Sequence, residues 1–513
     1  MAEPFYITTP IYYVNDVPHI GHAYTSLACD AFARFQRLDG KDVRLLTGTD
    51  EHGQKVEKAA HDRGEDPQAY TDRVSGRFRH LADAMGFAHD DFIRTTEPRH
   101  KDAVQALWRR LVERGEIYLG KYAGWYAVRD EAFYAEDEIQ DGRAIASGAP
   151  VAWVEEPSYF FRLSAWGGRL LAFYETNPSF VGPESRFNEV RRFVEGGLND
   201  LSVSRTTFGW GVHVPDDPDH VVYVWLDALT NYISALGYPD EGGLYARFWP
   251  ADVHVVGKDI LRFHAVYWPA FLMAAGLEPP KRVFAHGWWT NEGRKISKSL
   301  GNVIDPFALV AEFGLDPTRY FLLREVPFGN DGDYSRDAMV RRTNSDLAND
   351  YGNLAQRSLS MIAKNLGGAV PEPGPFTEGD DALLARAADL PDEVRRHMAV
   401  QAPHLALEAI WAVIADANRY VDAQAPWKLR KTDPARMATV LYVLAETVRN
   451  LAILTQPFMP GGSAKLLDQL AVPDDARGFD RLGAAGRLKP GTPLPAPRGV
   501  FPRFVEAPAG EGA

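Results

Sequence analysis

Phe5-Tyr6-Ile7-Thr8-Thr9-Pro10-Ile11-Tyr12-Tyr13-Val14-Asn15-Asp16-Val17-Pro18-His19-Ile20-Gly21-His22 begins as a strand and ends as the entrance to a helix. Phe5 to Tyr13 is aromatic and β-branched, and Asn15 to Pro18 carries turn residues. Tyr24, Leu27, Ala28, Ala31, Phe32 and Phe35 then recur at helical spacing until Gly40. Val43 to Leu46 is a second apolar run, closing in Thr47-Gly48-Thr49-Asp50-Glu51-His52-Gly53. Strand, helix and strand with a glycine in the first turn predict the opening of a parallel α/β sheet that binds a nucleotide at its strand ends. Gly21 removes a side chain at the helix entrance, so a phosphate can approach unpaired N–H groups there. The imidazoles of His19 and His22 can donate to its oxygens. Turn histidines with backbone contacts are the plain alternative.

Working outward, helical segments continue to about Gly115, and aromatic-rich short strands from Tyr118 to about Pro215 predict an insertion. Sheet patterns return at Val221-Val222-Tyr223-Val224-Trp225, at Val253 to Gly257 and at Arg282 to Gly287. The last leads to Lys295-Ile296-Ser297-Lys298-Ser299, flanked by Gly293 and by Gly301-Asn302. Two ammonium groups on such a loop suit closure over a leaving pyrophosphate, with the serine hydroxyls alongside. A solvated basic loop reads equally well from these residues alone. After Tyr334 the pattern is helical to about Gln469, predicting a separate bundle. Beyond Val472 a Pro- and Gly-rich tail completes the chain.

The chain has 513 residues, enough for two to four domains, and 45% hydrophobic with 24% charged content is that of a globular protein. A net charge of −13 argues against bulk capture of nucleic acid, so an RNA partner needs local basic surface. Arg191-Arg192, Arg341-Arg342, and Lys428 with Arg430 and Lys431 are candidates, each also readable as a solvated helix face. The single Cys29 excludes an internal disulfide and any Cys-x-x-Cys zinc site, and is expected as a buried, inert thiol. No apolar run approaches the ~20 residues of a membrane span. Met1-Ala2-Glu3-Pro4 lacks a basic leader, so a cytoplasmic chain without membrane contact is expected.

Together, the His19–His22 and Lys295–Ser299 segments resemble the two signature motifs of class I aminoacyl-tRNA synthetases. Ile7 to Tyr13, Thr47 to Gly53, Val224-Trp225-Leu226-Asp227-Ala228 and Gly257-Lys258-Asp259-Ile260 are similar to the methionyl branch of that class, over about Phe5 to Phe458. The resemblance implies an α/β, Rossmann-like parallel-sheet catalytic domain with an inserted connective-peptide domain, followed by an all-α anticodon-binding helical bundle. The implied divisions are 1–117 and 216–275 for the two catalytic halves and 118–215 for a metal-free insertion. They continue with 276–334 for a stem-contact region bearing the lysine loop, 335–472 for the bundle and 473–513 for the tail. The implied activity is that of a methionine–tRNA ligase, which makes methionyl-adenylate from ATP and passes methionine to the 3′ end of initiator and elongator tRNAs. By the resemblance, His19, His22, Lys295 and Lys298 are catalytic. His19, Gly21, His22, Asp259, Lys295, Ser297 and Lys298 bind ATP, whose Mg²⁺ arrives with the nucleotide.

Spacing puts Ile260, His264 and Trp268 on one stripe of a helix beginning near Asp259, and Trp225, Leu229 and Tyr232 on one face of another. Spacing alone also allows ordinary core. The resemblance implies that these residues, with Ile11, Tyr13 and Asp50, enclose methionine, an aromatic box suiting a long polarisable side chain. Asp50 would take its ammonium, and its sulfur would lie near the Ile11 N–H and the Tyr232 hydroxyl. Leu229 stands where some relatives have proline. Asp50 also reads as a turn-capping carboxylate, and Asp259 either caps its helix or, by resemblance, holds the ATP ribose.

Where many relatives carry zinc-binding cysteines, this chain has Ala127, Asp130, Ala144 and Ser147, so no structural zinc is expected. Packing of Trp125, Tyr126, Phe133 and Tyr134 is expected to hold the knuckle instead. The insertion, roughly a hundred residues, is too short for the large editing domain of related enzymes, which favours methionine. Asn353 and Arg357 share a helix face, and Pro426-Trp427 ends another helix. The resemblance implies that Asn353, Arg357 and Trp427 meet the CAU anticodon, whose unpaired bases stack on aromatic or guanidinium planes. Pro426-Trp427 also reads as a helix stop with a packing anchor. The expected partners are tRNA(Met), L-methionine and ATP, without DNA, and the expected state is a monomer. A cysteinyl-type enzyme of the same fold and a catalytically silent RNA-binding relative are the rival readings.

Overall fold

The computed structural model describes residues 2–14, 17–130, 132–296 and 302–506. Seven described strands make one sheet: β1 (Pro4–Thr8), β2 (Tyr12–Tyr13), β3 (Asp42–Asp50), β4 (Asp91–Arg94), β5 (Val181–Gly182), β6 (Val253–Gly257) and β7 (Val283–His286). Their order is β5-β7-β6-β1-β3, with β2 and β4 both on β3. Every pair is parallel. The run Phe5 to Tyr13 is two strands rather than one, because Pro10 has no N–H for the ladder. β2 resumes against the far end of β3, with Tyr13 opposite Asp50.

α1 (Ile20–Leu38) buries Leu27, Ala28, Ala31, Phe32 and Phe35, the residues its period marks. Cys29 is buried with its sulfur 3.6 Å from the Thr8 carbonyl, and burial raises its pKa. Arg319, fully buried, joins α1 to the helical bundle. Its guanidinium lies 2.6 Å from Asp30 and donates to the carbonyls of Met85, Pro457 and Phe458.

Two expectations change here. The run Val221 to Trp225 is not a strand of the main sheet. Asp217–Val222 pairs antiparallel with Ser204–Arg205 and His213–Val214, and α2 (Val224–Leu229) begins at once. So short an apolar run does not distinguish a buried strand from a helical turn. Nor is 118–215 one uninterrupted insertion. A long hairpin, Ile117–Ala127 with Ala152–Phe161, belongs to a separate antiparallel sheet, but β5 rejoins the main sheet beside β7. Two residues are too few to leave a periodic signal.

At the hairpin tip, Ala127 and Ala144 are buried. The Asp130 carboxylate accepts from the Ser147 hydroxyl and, at 2.8 Å, from the Tyr134 hydroxyl, while Arg129 donates to the Ser147 carbonyl. Packing contributes too: Trp125 meets Trp153 edge-on at 5.4 Å, and Tyr126 lies 4.6 Å from Phe133. Two alanines offer no donor atom and the other two positions bond each other, so these residues do not fit a zinc ion.

Helices Asn353–Asn365, Glu378–Ala399, Pro403–Gln424, Pro426–Thr432, Pro434–Thr455 and Pro460–Gln469 pack as the bundle. Contrary to the sequence expectation, Pro434–Thr455 is long and apolar enough to cross a membrane, but 94% of its apolar window is buried inside the bundle. Its Glu446–Arg449 pair, 2.6 Å apart, is buried as well. The described part of the tail packs back on the molecule, burying Phe479, Leu488 and Phe501, with Val370 N–H on the Thr492 carbonyl and Phe504 stacked on Phe313 at 4.7 Å.

Candidate active site

β1, β3, β6 and β7 all end at one cavity of about 1010 Å³, the place an open parallel sheet offers a ligand. The N-terminus of α1 forms one wall. His19, extended at φ −135° and ψ 179°, caps the helix: its Nδ1 accepts from the Gly21 N–H at 3.1 Å. His22 reciprocates, its Nδ1 accepting from the His19 N–H at 3.1 Å. This is a capping box built from two imidazoles.

The box has a chemical consequence. A ring nitrogen that accepts a backbone N–H bond carries no proton, so the proton of each ring sits on Nε2. Burial, with the neighbouring His19 adding to it, pushes the His22 pKa well below the usual imidazole value, so this ring is neutral at pH 7. Both rings line the cavity, 3.9 Å apart between centroids, and both are Nε2–H donors. The structure changes one detail of the Gly21 reading. The Gly21 N–H is used by the cap, and a Cβ there would stand 2.9 Å from the His19 ring. Glycine admits the imidazole as much as any ligand.

Asp50, at the end of β3, is buried at the cavity wall beside Ile11 and Tyr13. The loop after β3 is tied to α2 through Asp227, whose oxygens lie 2.7 Å from His52 Nδ1 and 2.8 Å from His100 Nε2. Burial alone would raise the Asp227 pKa, but the His52 and His100 imidazoles outweigh it and hold it at about 2. The signal for this network, an Asp beside Trp225 and a His beside Asp50, was present in the sequence but carried no spacing that paired them.

Trp225, Leu229, Tyr232, Ile260 and His264 all line the cavity. Tyr232 is held from several sides: its hydroxyl lies 2.7 Å from His264 Nε2, and its ring stacks on His254 at 4.0 Å. His264 Nδ1 lies 2.9 Å from the Ile260 carbonyl, which can only accept. The proton is therefore on Nδ1, and Tyr232 donates its hydroxyl hydrogen to Nε2. Burial lowers the His264 pKa to about 4.

Trp268 stands behind this wall, fully buried, 6.1 Å from the Tyr232 ring. The expected helical stripe is broken by a π-helical stretch, Phe263–Tyr267, whose extra residue rotates the rest of the helix by about 100°. The same stretch brings in Phe263, which sequence spacing missed; it stacks on Trp225 at 3.7 Å and 6°.

Asp259 does not cap a helix. It lies within a 3₁₀ turn, Lys258–Ile260, whose cap is Gly257, and its Oδ1 accepts from the Trp288 indole N–H at 3.1 Å. Lys295 pairs through its backbone with Thr290 in a hairpin turned at Glu292 and Gly293, both at positive φ as a two-residue hairpin turn requires. Ser297 and Lys298 lie outside the described residues. Ile296 on one side of them and Val303 on the other both line the cavity that holds His19 and His22.

In the bundle, the Arg357 guanidinium sits 5.4 Å over the Trp427 ring, which is 44% exposed, and Asn353 is exposed one turn away on the same helix. Lys428, Arg430 and Lys431 stand beside them at the surface. Arg342 is instead engaged by Glu325 and Asp346, so it adds no free basic surface.

Residues 5–142 and 135–359 match the family model of class I tRNA synthetases (M), and residues 370–510 match that of the anticodon binding domain of methionyl tRNA ligase. A methionine–tRNA ligase of Mesorhizobium japonicum is 61% identical over 510 residues, 99% of each chain. One from Mycobacterium tuberculosis is 56% identical over 519 residues, 99% of this chain and 100% of that one. A solved structure of Mycobacterium tuberculosis methionyl-tRNA synthetase in complex with methionyl-adenylate matches with a TM-score of 0.96 at 56% identity, covering 98% of this chain and 100% of that one. The apo form matches with a TM-score of 0.90 at 53% identity, covering 99% of each.

Proposed function

The chain belongs to the class I methionyl-tRNA synthetases, and from that membership we infer that it joins methionine to tRNA in two steps driven by ATP. In the first, a methionine carboxylate oxygen attacks the α-phosphorus. The bond to the bridging oxygen breaks, leaving methionyl-adenylate and pyrophosphate. In the second, a ribose hydroxyl of the terminal tRNA adenosine attacks the acyl carbon and AMP departs.

One observation carries this reading: two imidazoles, locked as Nε2–H donors by their own capping box, face the same cavity as Asp50, Tyr232 and Ile296. Catalysis at phosphorus is mainly positioning and charge stabilisation, and fixed neutral donors supply that without reorganising. His19 and His22 take the phosphate oxygens, with Gly21 admitting the His19 ring. Lys295, Ser297 and Lys298 take the leaving pyrophosphate. Asp259 holds the ribose. Magnesium enters on the nucleotide. Its ligands there are phosphate oxygens.

Methionine lies with its ammonium at Asp50 and its side chain among Ile11, Tyr13, Trp225, Leu229, Tyr232, Ile260 and His264, with Trp268 supporting Tyr232 from behind. The Tyr232 hydroxyl hydrogen is committed to His264, so the thioether meets the oxygen of Tyr232 and not its proton. Asn353, Arg357 and Trp427 receive the anticodon shared by initiator and elongator tRNAs. Action as a monomer in the cytoplasm belongs to the same proposal. ATP–pyrophosphate exchange measured across the amino acids, followed by charging of tRNA(Met), tests it. Methionine-dependent exchange and charging are expected; exchange driven by cysteine, or none, overturns the reading.

A further inference from the structure

At the lip of the cavity, where β6 and β7 end, four side chains lock together. Lys258 Nζ lies 2.7 Å from both carboxylate oxygens of Asp331 and 4.4 Å over the Trp288 ring. The Trp288 backbone N–H donates to Asp331 at 2.8 Å, and its indole N–H donates to Asp259 Oδ1 at 3.1 Å. Asp331 immediately precedes Gly332–Tyr334, which pairs in parallel with Trp289–Asn291, the first strand of the hairpin bearing Lys295. Asp259 and Trp288 both line the cavity.

Asp259 is exposed on a short turn, so its carboxylate would otherwise be spread over about three χ1 wells. Two features single out one of them. The indole N–H takes Oδ1, and the side chain folds back over the end of β6, where a Cβ on Gly257 would come within 2.5 Å of that same oxygen. Oδ2 makes no hydrogen bond with a described residue and is left to accept from a ligand hydroxyl. We propose that Trp288 is a positioning residue for nucleotide selection: its indole N–H orients Asp259 so that the second carboxylate oxygen reads a ribose hydroxyl of ATP. The inference rests on the ribose role proposed for Asp259 and extends it to a residue outside the two signature segments.

Trp288→Phe tests it, because phenylalanine keeps a ring under the Lys258 ammonium and keeps the backbone N–H while deleting the indole donor. Methionine-dependent exchange is measured with ATP, 2′-deoxyATP and 3′-deoxyATP. Freed over about three wells, Asp259 is competent about a third of the time, so KM for ATP rises about threefold. The KM for the deoxynucleotide lacking the hydroxyl that Asp259 reads should not move, nor should the KM for methionine. In an Asp259→Ala background, Trp288→Phe should add nothing. Wild-type discrimination that Trp288→Phe leaves intact, or an equal effect of Trp288→Phe in the Asp259→Ala background, overturns the role of Trp288 alone. A wild type indifferent to both missing hydroxyls overturns the ribose reading of Asp259, and this inference with it.

Discussion

His19 serves two functions that substitution can separate. In the structure its Nδ1 caps α1 through the Gly21 N–H, and its ring lines the cavity. His19→Ala removes both. The cap is exposed, so its loss costs about 0.5–1 kcal/mol, the lower part of the range for N-caps. Removing one preorganised donor from a developing charge costs about 2.7–4 kcal/mol, or 10²–10³ in rate. His19→Asn should restore the first and not the second. An asparagine oxygen reaches the Gly21 N–H as Nδ1 does, but nothing extends to the Nε2 position. The His22 ring stays anchored in both variants, because its partner is the backbone N–H of residue 19. Urea unfolding and single-turnover adenylate formation with saturating methionine and ATP measure the two effects. The expected pattern is Ala low in both, Asn near wild type in stability and still about a hundredfold or more slow. If Asn recovers the rate together with the stability, the imidazole is only a cap and the proposed chemistry fails.

Four further outcomes are expected. The folded His264 pKa of about 4 lies below its ordinary 6.5, so its contribution to stability is complete above about 6.5 and lost as pH falls through about 4; KM for methionine should be flat from pH 8 to about 5.5 and rise below, whereas an inflection at 6.5 contradicts the buried neutral ring. Asp227→Leu leaves two buried imidazoles without their carboxylate and should destabilise by about 3 kcal/mol in urea, and an unchanged unfolding curve would show that the network is idle. Lys298→Ala should slow adenylate formation while sparing methionine binding, and a main effect on methionine affinity argues against its pyrophosphate role. Trp427→Ala, losing one base-stacking surface of about 1–3 kcal/mol, should weaken tRNA charging with exchange intact; unchanged charging removes Trp427 from the anticodon site.

Much of the site was legible along the chain. Helical spacing grouped Trp225, Leu229 and Tyr232, and it grouped Ile260 with His264; all five face the cavity. It failed at Trp268, because a π-helical turn adds a residue that no 3.6-residue period anticipates. The sheet pattern failed at Val221 to Trp225, where a strand ends and a helix begins within one apolar run. The knuckle shows a third kind of limit. Four positions without cysteine spoke against zinc, but nothing in them announced that Asp130 and Ser147 would bond each other.

The linear order of residues, through the resemblance it carries, was enough to point to the kind of chemistry: two imidazoles at a helix entrance, two amines on a later segment, and a parallel sheet in between. Those are matters of residue type and local period, which each segment carries in itself. Folding settled which nitrogen of each imidazole holds its proton, where the Tyr232 hydrogen points, and which oxygen of Asp259 is left for a ligand. A proton's position depends on what each polar atom meets across space, and those partners come from positions separated by anything from 2 to 32 residues.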